Sequence, residues 1–321
     1  MPSDWMSDLL DLLADTLNTD LFVVKGVMAI LLVCILCGTI GSLVIGNRMA
    51  FFSDAMAHCA FAGVALGYLT VLVSGTGREG ALASWLVPLV MVLFGSVVGV
   101  AIVYVREQTS LANDTVIGVF FALAIGFGAM LFQVLRRVST FDPDTFLFGS
   151  PIFVAETDLL FLLLLVGVVS GLFLWRYNQL VFASFNPSLA RTRRVSLRLN
   201  NYLFIVLLAL VVNLSIRAVG ALLINALLVV PAATASNVSR NLRQMYWLTV
   251  GFCVFSGLTG FFLSTALSIP VGVAGSVKFG PSGTIVVVSV FLFFVSMAAP
   301  GIHRRLSPTP HRQVQRDALV L

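Results

Sequence analysis

Nine long apolar segments, joined by short polar or basic stretches, run through the chain from residue 21 to about residue 300. The apolar core of a bilayer is about 30 Å thick, which an α-helix of about 20 residues can cross. Backbone groups in lipid must bond to one another, so only helices and closed barrels span a membrane. These segments lack the alternating residues of barrel strands, and only 10% of residues are charged, against about 25% in soluble domains. The sequence therefore predicts an all-α polytopic membrane protein.

Windows of about 20 apolar residues place the predicted spans near Leu21–Ile45, Ser53–Val73, Leu82–Val105, Thr115–Leu135, Leu159–Trp175, Tyr202–Ile216, Val219–Ala235, Trp247–Leu267 and Gly283–Ala299. The sixth and seventh spans are short and only Arg217 and Ala218 separate them, which leaves eight spans as the alternative. Small residues such as Gly38, Gly41 and Gly95 recur within the spans, and they predict close helix–helix packing.

The distribution of basic residues predicts the orientation of the spans. With nine crossings and the N-terminus outside, thirteen Lys and Arg residues lie on the cytoplasmic side and six outside, as the positive-inside rule requires. The C-terminus is then cytoplasmic. Residues 1–20 are predicted as an acidic amphipathic segment on the membrane surface, residues 21–300 as the transmembrane domain, and residues 301–321 as a disordered cytoplasmic tail. The net charge of +5 lies mostly between spans and does not indicate nucleic-acid binding.

A carboxylate and an imidazole, Asp54 and His58, stand four residues apart at the start of the second span. On a helix this spacing puts both side chains on one face, about 5–6 Å apart at Cβ, so that they can point at one cation. Ionisable residues at membrane depth are costly and usually functional. The alternative is structural, with Ser53 as a helix cap, Asp54 as a first-turn acid favoured by the helix dipole, and His58 simply packed.

A single chain offers too few ligands for a closed metal site. Of the three histidines, only His58 lies at membrane depth, and a tetrahedral site needs four ligands. Two copies related by a two-fold axis, the commonest symmetry of oligomers, would supply two oxygens and two nitrogens. Such a set suits zinc or another divalent first-row metal.

Several other polar residues are weaker candidates. The predicted outer loop carries the acids Asp142, Asp144, Glu156 and Asp158. One interpretation is that they gather cations near an entrance, and the alternative is that they are simply solvated. Asn225 and Pro231, in the seventh span, are candidates to line an ion route, although a mid-membrane Asn more often satisfies a neighbouring backbone. Pro231 is expected to end or kink its helix near the inner face. Cys34 and Cys37 form a CxxC inside an apolar segment and are interpreted as packing residues.

Some chemistries are disfavoured by motifs that the sequence lacks. It contains no GxxxxGK[ST] phosphate loop, so this chain is not expected to hydrolyse ATP by that machinery. It contains neither HExxH nor GxSxG, which weakens an intramembrane metalloprotease or a serine hydrolase. No resident cofactor is expected.

Two stretches of the sequence resemble the permease subunits of zinc/manganese/iron ABC transporters. Ser53–His58 (SDAMAH), followed by Gly63–Ala65, resembles the second-span signature of that family, and Val219–Ala235 (VGALLINALLVVPAATA) resembles its second hallmark. The resemblance covers roughly residues 22–300 and gives Asp54 and His58 the places of the cation-contacting pair. It implies a type II importer core in the bacterial cell membrane, formed by two copies or by a related paralogue. It also implies two cytoplasmic ATPase subunits and an extracytoplasmic metal-binding protein as partners.

A third stretch, Phe185–Arg191, is similar to the family's cytoplasmic coupling segment. The resemblance assigns contact with the ATPase to Phe185, Asn186, Pro187, Leu189, Ala190 and Arg191. Contact with lipid headgroups is the alternative for this basic region. The sequence departs from the family pattern at two positions. Asn186 stands where the family usually has an acid, which removes a charge that tunes docking, and Ala62 stands where a proline is common, which predicts a less kinked second span.

These features predict a transport subunit that moves Zn²⁺, Mn²⁺ or Fe²⁺ inward when partner ATPases hydrolyse ATP. The alternative is a self-sufficient secondary carrier driven by protons or sodium, in which His58 titrates. A membrane enzyme that uses a bound metal is disfavoured by the shortage of ligands and of any base.

Overall fold

The computed structural model describes residues 10–12, 14–16, 19–74, 81–109, 111–136, 149, 151, 154–185, 196–270 and 276–306. From residue 21 onward the helices are α1 (Leu21–Gly46), α2 (Phe52–Val73), α3 (Ala81–Gln108), α4 (Asn113–Arg136), α5 (Glu156–Phe185), α6 (Leu197–Val219), α7 (Ala221–Val238), α8 (Leu242–Ala266) and α9 (Pro281–Leu306). Strands β1 (Ser268–Pro270) and β2 (Ser276–Lys278) pair antiparallel between α8 and α9.

All nine of these helices are long and apolar enough to cross a bilayer, which confirms the nine predicted spans within the described part of the chain. α6 and α7 are separate helices, and the break lies at Gly220, two residues beyond the predicted boundary. Gly220 has φ 87° and ψ 158°, a conformation that glycine adopts far more readily than other residues. The Ser282 hydroxyl donates to the freed Val219 carbonyl at 3.3 Å, so the break is held by α9.

Two helices form the centre of the bundle. In the apolar stretch of α1, 78% of the residues are buried, and in that of α6, 67% are buried. In α4 and α9 the share is only 22% in a single chain. α1 packs against α5, α6, α7 and α8, and α2 packs against α3, α4 and α6. The burial therefore falls from the centre to a rim that faces lipid or another protein.

The predicted close packing at small residues is confirmed. A Cβ placed on Gly41 would lie 2.6 Å from the Leu228 carbonyl oxygen, and one on Gly38 would lie 2.8 Å from Val250 Cα. Real side chains do not approach so closely, so only glycine lets α7 and α8 lie this near to α1.

Several predicted boundaries differ from the structure. α5 continues beyond Trp175 to Phe185, and α9 continues through Gly301 to Leu306, into the segment predicted as disordered. Apolar length marks the span and not the end of the helix, because the i to i−4 hydrogen bonds of a span can continue into the polar residues that follow it. Within the predicted surface segment, residues 10–12 and 14–16 are helical and Leu10 is buried. Residues 307–321 lie outside the described residues.

Candidate functional site

Asp54 and His58 lie on one face of α2, as the spacing predicts, but their side chains do not hydrogen-bond to each other. His58 Nδ1 lies 3.9 Å from Asp54 Oδ1 and only 3.0 Å from the Asp54 backbone carbonyl oxygen. Because a carbonyl only accepts, neutral His58 must carry its proton on Nδ1. Nε2 then keeps its lone pair, which is the form in which a histidine binds a metal.

The Asp54 carboxylate is held by a residue from a distant part of the chain. Asn225 of α7 donates from Nδ2 to Asp54 Oδ1 at 2.8 Å. Among the described residues, Asp54 Oδ2 has no hydrogen-bond or ion-pair partner. One carboxylate oxygen and one imidazole nitrogen are therefore both available as ligands.

Both side chains are accessible. The side chain of Asp54 is 44% exposed and that of His58 is 31% exposed, and the His58 ring meets Phe121 of α4 edge-on, with ring centroids 4.7 Å apart. Asp54 lines a cavity of about 160 Å³ together with Phe51, Asp114, Ile117, Gly118 and Phe121. The cavity brings α4 into the site, which the sequence analysis did not predict.

Asp114 is the residue that sequence reasoning missed. It stands in the first turn of α4, where an acid is common because it complements the helix dipole, so its sequence context carries no sign of function. The one usable signal was its place beside the short connection between α3 and α4, at the same predicted inner side as the start of α2.

Along the helix axes, the pair lies away from the ends of α3 and α7. Gly63 faces Met91, since a Cβ at this glycine would lie 2.9 Å from Met91 Cα. In the antiparallel register this sets, Asp54 is level with a position eight residues before Gln108, the end of α3, or about 12 Å along the axis. Asn225 lies thirteen residues before the end of α7, or about 20 Å. α2 thus begins inside the length of α3 and α7, and its first turn shares a cavity with the first turn of α4.

One chain alone does not close a metal site. Throughout the part of the chain that the structure describes, no three His, Cys, Asp or Glu side chains come together as a possible metal site. Asp54 and His58 can hold a divalent ion from one side, and the remaining ligands must come from elsewhere.

Two of the predicted outer acids have other partners. Glu156 Oε1 accepts from Lys25 Nζ at 2.8 Å, and Asp158 Oδ1 lies 3.2 Å from Arg217 Nη2. These ion pairs join the first turn of α5 to α1 and to α6. Asp142 and Asp144, predicted with them, lie outside the described residues.

The remaining predicted residues are placed as follows. α7 runs through Pro231 to Val238, so the helix does not end at this proline, which is buried. Cys34 and Cys37 are buried and free, in agreement with a packing role. Phe185 is the last residue of α5 and its ring packs on Gly46. The other predicted coupling residues, Asn186, Pro187, Leu189, Ala190 and Arg191, lie outside the described residues.

Comparison with known proteins identifies the family. The sequence model of the ABC 3 transport family matches residues 19–300, and the chain belongs to this family. The manganese transport system membrane protein MntC of Halalkalibacterium halodurans is 29% identical, over 80% of this chain and 84% of that protein. The high-affinity zinc uptake system membrane protein ZnuB of Haemophilus influenzae is 27% identical, over 80% of this chain and 90% of that protein.

A solved structure gives the same architecture. The structure described as PsaBC from Streptococcus pneumoniae in complex with Fab matches with a TM-score of 0.70 and 25% identity, over 88% of this chain and 93% of that chain. Together with the nine apolar helices, these likenesses establish a multi-pass α-helical membrane protein of an ABC transporter family. The predicted family resemblance and fold class are confirmed.

Proposed function

We propose that this member of the ABC 3 transport family is the permease subunit of an ATP-driven importer of divalent transition-metal ions, Zn²⁺, Mn²⁺ or Fe²⁺. The observation that carries the proposal is the Asp54/His58 pair, with free Oδ2 and Nε2 acceptor atoms at the start of a helix long and apolar enough to span a membrane. The names of MntC and ZnuB, which refer to manganese transport and zinc uptake, support the choice of substrate class. The alternative structural interpretation requires Ser53 as the helix cap, but the N-cap of α2 is Phe51 and no side chain caps the helix.

Separate subunits supply ATP hydrolysis in this proposal. The sequence has no phosphate loop, and a transporter of this family needs one in a partner. We assign the ATPase contact to the region after Phe185, on the predicted cytoplasmic side, and the handover of metal to an extracytoplasmic metal-binding protein on the opposite side.

A second copy of this chain, or a close paralogue, completes the ion site. Asp54 and His58 are partly exposed on a single chain, and a carboxylate facing hydrocarbon is costly. Beside them on α4, Gly118, Ala122 and Gly126 are exposed at helical spacing, which suits close packing against another helix. Two-fold symmetry would bring two carboxylates and two imidazoles to one ion.

Transport then requires the paired sites to open alternately to the two sides of the membrane. ATP-driven movement of one protomer against the other would change which side reaches Asp54 and His58. Asn225 and Pro231 on α7 line the route in this proposal, with Asn225 in direct contact with Asp54.

The test is metal uptake by cells or proteoliposomes that contain the complete transporter with Asp54→Ala or His58→Ala. Asp20→Ala is the matched control, because Asp20 is exposed and makes no side-chain cap. We expect uptake to be lost in the two site variants while assembly with the ATPase is retained, and to be normal in the control. Normal uptake by an assembled Asp54→Ala transporter would overturn the site, and uptake by proteoliposomes of this chain alone would favour a secondary carrier.

A further inference from the structure

The hydrogen bond from Asn225 to Asp54 joins two helices whose residues are 171 positions apart in sequence. Among the side-chain interactions of Asp54 in the described part of the chain, it is the only one with α7. The amide of Asn225 carries no charge, so the bond provides no counter-charge that would compete with a cation at Asp54.

The chemistry of the amide fixes its orientation. A carboxylate only accepts, so the NH₂ group of Asn225 must face Asp54 and the carbonyl must point away. The Asn225 carbonyl oxygen is buried and has no hydrogen-bond partner among the described residues. An unpaired buried acceptor is unfavourable, so this orientation is maintained at a cost by the contact with Asp54.

The bond restricts how Asp54 can bind a metal. With an N–H group on Oδ1, Oδ2 is the better metal ligand, and binding through both oxygens is disfavoured because Oδ1 would have to share its lone pairs between the amide and the ion. Zn²⁺ is satisfied by four ligands that include nitrogen, whereas Mn²⁺ favours six ligands that are mostly oxygen. A carboxylate that is held to one oxygen therefore suits Zn²⁺ better than Mn²⁺.

We propose that Asn225 is a positioning residue that holds Asp54 in single-oxygen ligation and thereby sets the preference of the site for Zn²⁺ over Mn²⁺. This inference rests on the proposed function, because it concerns the ion that Asp54 and His58 bind. The bond also ties the ligand to α7, which follows directly on the break at Gly220, so movement of α7 would release the restriction.

Asn225→Leu tests the proposal, since leucine has nearly the shape of asparagine and no N–H group. Asn237→Leu is the matched control: Asn237 lies on the same helix and also donates to another helix, to Ser296 Oγ at 3.2 Å, away from Asp54. Asp54→Ala is measured in parallel. The readout is uptake of Zn²⁺ and of Mn²⁺ by the complete transporter, with the half-saturating concentration and the maximal rate determined for each ion.

We expect Asn225→Leu to shift the ratio of the two half-saturating concentrations toward Mn²⁺ by about tenfold, with a smaller change in maximal rate. Asn237→Leu should leave the ratio unchanged. If Asn225→Leu assembles poorly, Asn225→Ala removes the same N–H group and should shift the ratio in the same direction.

An unchanged ratio in an assembled Asn225 variant would overturn the positioning role, whether or not both half-saturating concentrations rise together. This outcome is distinct from failure of the proposed function. If the proposed function is wrong, the Asp54→Ala transporter takes up both ions normally. If only the positioning role is wrong, Asp54→Ala still abolishes uptake.

Discussion

The ion pairs at the predicted outer end of the bundle and the Asp54/His58 pair at the start of α2 differ in how their charges are neutralised. At the outer end, Lys25 contacts Glu156 at 2.8 Å and Arg217 contacts Asp158 at 3.2 Å. The Asp158 side chain is only 11% exposed. At the start of α2 the Asp54 side chain is 44% exposed, and the distance from Asp54 Oδ1 to His58 Nδ1 is 3.9 Å.

This difference separates structural charges from ligands. Glu156 and Asp158 each meet a basic partner, so the cost of placing them near lipid is offset within the protein. Among the described residues, the Asp54 carboxylate accepts a hydrogen bond only from a neutral amide, so its charge is still to be balanced. A divalent cation is the partner that best fits that remaining charge and the free nitrogen of His58.

The largest expected effect is on stability at the outer end. Arg217→Met leaves the Asp158 carboxylate buried without its cation, which should destabilise the protein by about 3–5 kcal/mol. Thermal unfolding of the purified chain in lipid nanodiscs measures the loss. Asp54→Asn is the comparison, and its unfolding midpoint should stay close to that of the unaltered chain. Equal midpoints for the two variants would remove the distinction between the two regions.

A second prediction concerns the function of the Asp54/His58 pair. His58→Gln keeps a polar side chain of similar length but removes the imidazole nitrogen, so metal uptake should fall at least about tenfold with little change in stability. Uptake by the complete transporter and unfolding of the same preparation are measured together. A loss of stability that accounts for the loss of uptake would assign His58 to packing, in line with its contact with Phe121.

The smallest expected effect is at the more exposed outer pair. Glu156 is 35% exposed, so its coupling to Lys25 should contribute only about 1 kcal/mol. The unfolding of Lys25→Met, Glu156→Gln and the double variant forms a cycle that isolates this coupling. A coupling as large as the effect of Arg217→Met would mean that the two outer pairs are equally buried in the assembled transporter.

The fold was largely predictable because its main signal is local. Apolar length sets each span, so boundaries such as Leu21 and Val73 were found correctly. The break at Gly220 was placed two residues early, because the nearby charge of Arg217 is a more visible signal than a glycine. The short strands β1 and β2 were missed, since pairing of three-residue segments leaves little pattern in a sequence.

The candidate site was predictable only in part. Asp54 and His58 are neighbours on one helix, so their spacing in sequence carries the geometry. Asp114 comes from another helix and has the sequence context of an ordinary first-turn acid. From the sequence, the outer acids Glu156 and Asp158 could not be recognised as members of ion pairs, because their basic partners are distant in sequence.

The amino-acid sequence by itself determined that this protein crosses a membrane as helices and that a carboxylate and an imidazole share one helix face, because hydrophobic length and helical period act within single segments. Only the tertiary structure decided that Asn225 holds one oxygen of Asp54 and that two outer acids are neutralised. These features depend on which helices lie side by side, and that arrangement follows from packing between segments far apart in the chain.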